Sequence, residues 1–177
     1  MKLRLLPIVL SVAISATVLF GGWFAYQSFA MENPLAGVVK STPGVELVST
    51  KINTDDAEIE VKLQPGTSLR EVYDNIENKG SSIIGKKALK LKVVNESSQQ
   101  LDQWWSSALF DVAQAMETKH YAEIPTTLQS RVAGSSNLKI STEMNDKFVF
   151  VTMTDGDKSK FVMLPRTPEK MEVWPNE

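Results

Sequence analysis

Residues 5–31 read LLPIVLSVAISATVLFGGWFAYQSFAM, a run without a single Asp, Glu, Lys or Arg. Lys2 and Arg4 precede it and Glu32 follows at once. A hydrocarbon core of about 30 Å takes roughly 20 apolar residues in helical form, so this run can cross with room for tilt. In lipid every backbone group must be satisfied within the segment, which leaves a helix as the form of a single span. Pro7 falls in the first turn, where a missing N–H does least harm. Gly21 and Gly22 are ordinary in a membrane helix, and Trp23 and Tyr26 fall where amphipathic rings prefer the membrane boundary.

Lys2 and Arg4 mark the membrane-interface residues at the other end, and the positive-inside bias keeps that end cytoplasmic. The expected topology is therefore residues 1–4 in the cytoplasm, a signal-anchor helix over 5–31, and everything after it outside. Cleavage after Ala30 is the competing reading, because Ser28-Phe29-Ala30 has small residues where a signal peptidase reads them. A signal-peptide apolar region usually runs about 7–15 residues, so the length favours a retained anchor. Both readings export the remainder.

The formal charge is −2, and Lys2 and Arg4 lie before the anchor, so the exported part is more acidic still. That balance argues against nucleic-acid binding, which needs clustered cations. The sequence has no cysteine. Disulfides, thiolate catalysis and cysteine-based metal sites are excluded, and stability must come from packing.

Residues 32–44 hold Asn33-Pro34, Gly37 and Pro43-Gly44 and read as a spacer. One α+β domain is expected over 45–166, followed by an extended tail, 167–177. Val45–Asn53 and the strictly alternating Glu58-Ile59-Glu60-Val61-Lys62-Leu63 predict a hairpin. Ser68 with Glu71 is a capping box, opening a helix through Leu69, Val72, Tyr73 and Ile76 to about Gly80. A loop to Lys87 leads to a third strand, Leu89-Lys90-Leu91-Lys92-Val93. Ser97 with Gln100 predicts a second cap and a long helix carrying Leu101, Trp104, Trp105, Ala108, Leu109, Val112 and Met116. Pro125 should kink it near Ile124, and Val132-Ala133-Gly134 should end it. Three strands follow, with turns at Asn145-Asp146 and Asp155-Gly156 and an apolar strand over 148–153 covered on both faces. The predicted order is β-β-α-β-α-β-β-β: a mostly antiparallel sheet with helices on one face. In element order alone, the first half resembles small envelope modules that build rings or scaffolds beneath membranes.

Chemistry-bearing constellations are sparse. His120 is the sole histidine; a catalytic reading pairs it with Asp111, Glu117 or Glu123 and with Ser106 or Ser107, but no nucleophile turn accompanies it. Asp155-Gly156-Asp157 lacks the later ligands of a calcium loop, since Lys158 and Lys160 follow. No cofactor is expected. Lys86, Lys87, Lys90 and Lys92 are candidate partner contacts, though lysines on an exposed strand read first as an edge guard, with Glu58 and Glu60 as cross-strand partners. Arg166, in Pro165-Arg166-Thr167-Pro168, and Trp174 in the tail are the other candidates. The expected function is a binding, accessory or scaffold role in a cell-envelope complex, with the bilayer and a protein as partners. The alternatives are a hydrolase using Glu58, Glu60, Asp155 and Asp157, and a secreted binding protein released after Ala30.

Overall fold

The computed structural model describes residues 5–132 and 137–166, with side chains from Pro7 onward. The chain is α+β, with a long apolar helix at its N-terminal end and two three-stranded sheets. Its elements are α1 (Leu5–Tyr26), a π-helical turn (Gln27–Glu32), α2 (Asn33–Lys40), β1 (Val45–Ile52), β2 (Asp56–Leu63), α3 (Leu69–Ile84), β3 (Ala88–Val93), α4 (Gln99–Glu117), α5 (Glu123–Val132), β4 (Leu138–Met144), β5 (Phe148–Asp155) and β6 (Lys158–Pro165). The strands were expected in one sheet; they form two, ordered β1-β2-β3 and β4-β5-β6. The chain divides into two compact units, one of residues 1–61 and 75–92, the other of 62–74 and 93–177.

In the first unit, α1 has 22 residues and spans about 33 Å at 1.5 Å per residue. Its apolar side chains lie open: Val12 is 62% exposed, Leu19 72% and Phe20 77%. Helical structure then continues without a break to Lys40. Within the stretch expected as a spacer, residues 33–40 form α2. Pro34 sits in its first turn, and Leu35 and Val39, four apart on one face, are fully buried. A two-residue stripe is too short to show as periodicity.

β2 follows its sequence pattern closely, with Ala57, Ile59, Val61 and Leu63 buried and the charged residues between them facing outward. α3 runs past Gly80 to Ile84, and Gly85, at φ +62°, ends it. Gly80 instead serves packing, since a Cβ there would lie 3.0 Å from Leu35 Cδ1 and its bare backbone lets α2 and α3 close together.

In the second unit, β4-β5-β6 is antiparallel, with Val151 opposite Thr142 on one side and Val162 on the other. Its two faces are covered by different helices. Val149, Val151 and Met153 pack with Leu101, Trp105, Ala108 and Val112 of α4 and Ile124 and Leu128 of α5. Phe148 and Phe150 point the other way and meet Tyr73, the Tyr73–Phe148 rings standing edge-to-face at 5.0 Å. Ser68 accepts from the Glu71 N–H as a cap should, and donates its own proton to Glu143 Oε2 at 2.7 Å. Arg70 Nε reaches the other Glu143 oxygen at 3.3 Å.

The second cap is Ser98, one residue later than expected: its Oγ accepts from Leu101 N–H, while Ser97 donates to Asp102. One kinked helix was also expected, but the chain breaks fully between α4 and α5, upstream of Pro125. The break is a Schellman motif. His120 N–H reaches Ala115 O at 2.8 Å and Lys119 N–H reaches Met116 O at 3.2 Å. Lys119 takes the left-handed position at φ 59°, where glycine is usual. Pro125 then falls in the first turn of α5, where it interrupts no helical bond. Relieving that left-handed strain is the expected effect of Lys119→Gly, raising stability by about 1 kcal/mol. Chemical denaturation of both proteins measures it, and a lower midpoint for the variant would contradict the assignment.

The Asp155–Lys158 turn is closed by Gly156 at φ 59°, as a two-residue hairpin loop requires of its first central residue. Ala133, Gly134 and residues 167–177, Trp174 among them, lie outside the described residues, as do Lys2 and Arg4.

Candidate functional site

Where α1 runs into the π-helical turn, the first unit holds a cavity of about 310 Å³ lined by Trp23, Tyr26, Gln27, Met31, Ile52, Asn53, Thr54 and Lys87. Each wall has a local cause. The rings of Trp23 and Tyr26 lie 6.5 Å apart, three residues apart on one helix face, and both are largely exposed. The Gln27 amide donates to Ile52 O at 2.7 Å, tying the helix to the end of β1. Lys87 Nζ donates to Asn53 O at 2.7 Å and Thr54 O at 2.5 Å, which fixes an ammonium at the β1–β2 turn.

The lysines of β3 are used differently. Lys90 pairs with Asp56 at 2.8 Å and Lys92 with Glu60 at 2.7 Å, cross-strand ion pairs between neighbouring strands. The Lys90 bond, helped by Asn53, holds the Asp56 carboxyl below its ordinary range, and the Lys92 bond does the same for Glu60. Lys86 is exposed beside Lys87. Of the four lysines, Lys87 lines the cavity described above.

On the second unit, α4 presents Phe110, 81% exposed, and Leu109, 41% exposed. Leu109 lines a depression of about 270 Å³ with Val112, Ala113, Met116 and Glu117, closed by Leu164, Pro165 and Arg166. Arg166 is committed within the unit. Its Nη1 donates to Asn145 O and Asp146 O, and its guanidinium lies 4.8 Å from the Tyr121 ring centroid. Trp105 is buried in the α4 core and Trp104 packs against it, so the paired tryptophans are not an open stacking platform.

Several of the residues considered for catalysis are held by other contacts. Ser106 and Ser107 donate to helix carbonyls of Asp102 and Trp104. Asp111 takes a forked bond from Arg131, and His120 lies exposed, 3.7 Å from Glu123. Glu60 accepts from Lys92 and Ser49. Asp102 and Glu96 have carboxyls held below their ordinary range by hydrogen bonds from Lys160 and Lys158 respectively. No group of three or more His, Asp or Glu among the described residues could hold a metal ion.

Gln27, Met31, Asn53, Thr54 and Phe110 were not singled out from the sequence. Gln27 alone had a signal there, as a long polar side chain closing the apolar run. No family model, curated protein or solved structure gives a match to this chain.

Proposed function

We propose that the chain is a single-pass membrane protein: α1 spans the bilayer, and the α+β units stand outside the cytoplasm, binding a protein of a cell-envelope complex. One observation carries the reading. The large apolar side chains of α1 from Ile8 to Phe24 lie uncovered. An apolar surface of that extent exceeds what a soluble monomer keeps in water, and hydrocarbon is the medium that satisfies it on every side. Lys2 and Arg4 favour a cytoplasmic N-terminal end.

The binding role rests on α4. Phe110 is a large aromatic left in water, next in sequence to Leu109, which lines a depression of mostly apolar walls with Glu117 and Arg166 at it; exposed aromatics of this kind anchor interfaces. Phe110→Asp is expected to leave folding within about 0.5 kcal/mol of the parent, as for exposed sites. Co-purification in mild detergent should return a stoichiometric protein partner with the parent chain and lose it with the variant. A parent chain that elutes alone and monodisperse would count against the role.

A further inference from the structure

We infer that the cavity at the end of α1 binds the phosphate of an anionic phospholipid of the leaflet from which the chain emerges. The inference rests on the membrane reading above and names a ligand for the face that meets the bilayer. Three independent features converge there. The first is level: if α1 spans, Trp23 and Tyr26 stand at the boundary, so the cavity they line opens at the depth of lipid headgroups. The second is charge. Two of Lys87's three N–H donors hold Asn53 O and Thr54 O, and an ammonium has one more to offer. Its position is fixed, so little side-chain entropy is lost on meeting a phosphate oxygen.

The third is the division of the walls. Trp23, Tyr26, Met31 and Ile52 give an apolar side suited to the glycerol and upper acyl carbons. Gln27, Asn53, Thr54 and Lys87 give a polar side. The other charges of these elements are mixed. Lys51 and Lys86 lie in the adjoining segments, Asp56 is paired with Lys90, Glu32 faces the Gln27 amide at 3.5 Å, and Asp55 is exposed. Lys87 is the cation that faces the cavity.

The test uses the full chain in neutral detergent, with retained lipid read by native mass spectrometry. Phosphatidylglycerol, phosphatidylcholine and inorganic phosphate are added in turn. One phosphatidylglycerol should be retained in about fivefold preference to phosphatidylcholine, the effect of one ammonium near an anionic surface. Lys87→Gln should remove that preference and Lys87→Arg should keep it. Equal retention of the two lipids by the parent chain would overturn the inference whatever the variants do. So would an unchanged preference in a folded Lys87→Gln, or displacement of lipid by millimolar inorganic phosphate, which would mark a free-phosphate site. Alkaline carbonate extraction separates the two layers of the argument. A chain that stays in the membrane but shows no preference defeats the lipid site alone; a chain that washes out defeats the membrane reading and the lipid site with it.

Discussion

Ile14→Arg combined with Val18→Arg is expected to empty the membrane fraction of this protein. Both side chains lie near the middle of α1 and are open, 57% and 67% exposed. An arginine at the centre of a span costs about 2.5–3.5 kcal/mol on the insertion scale, and Leu, Ile, Val and Phe each return about 0.3–0.6. Two arginines therefore cancel most or all of what the apolar run contributes. Placed four residues apart they also repel each other along the helix. Neither position touches the folded units' cores, so the variant separates anchoring from folding. Carbonate fractionation should find the parent in the pellet and the variant in the supernatant or degraded. A variant pelleting like the parent would show that something other than α1 holds the protein to membranes.

The largest effect on folding is expected at Phe150. It is 1% exposed in the central strand β5 and packs with Tyr73 and Phe148 on the sheet face opposite α4. Phe150→Ala loses the transfer energy of the ring and leaves a cavity, about 3–5 kcal/mol together. Its tilted ring contacts, 5.9 Å to Tyr73 and 6.0 Å to Phe148, add a further share. Denaturant unfolding of the second unit, followed by the near-ultraviolet signal of its aromatic residues, should show a large drop in midpoint. Phe110→Ala, at an exposed phenylalanine, is the matched control and should shift little. Equal shifts in the two would mean that Phe150 does not hold the core described.

What was legible in the sequence was what local periodicity encodes. β2 alternates because its even and odd residues meet different media, and the α1 run shows the unbroken absence of charge that a span in lipid would require. Boundaries decided by long-range packing were not legible. Gly80 looks like a helix end in the sequence, yet it lies inside α3 because Leu35 needs its space. Ser97 and Ser98 are chemically equivalent caps, and the fold uses the second. The stop after α4 rests on Lys119 in a conformation that glycine would have signalled. Strand pairing is the largest omission. Alternation tells which face of a strand is buried but not which sheet it joins, so six strands read as one sheet formed two. The cavity shows the same limit. Trp23, Tyr26 and Lys87 each stood out in the sequence, but only the turn at Asn53-Thr54 brings them to one place.

The absence of cysteine makes the central claim directly measurable, because any thiol introduced is the only one present. Single-cysteine chains Ile14→Cys, in the middle of α1, and Gln129→Cys, exposed on α5, can be treated on intact cells with a membrane-impermeant maleimide. Full labelling of Gln129→Cys is expected without permeabilisation, and no labelling of Ile14→Cys until detergent dissolves the bilayer. Labelling of Gln129→Cys only after permeabilisation, or of Ile14→Cys in intact membranes, would contradict the claim.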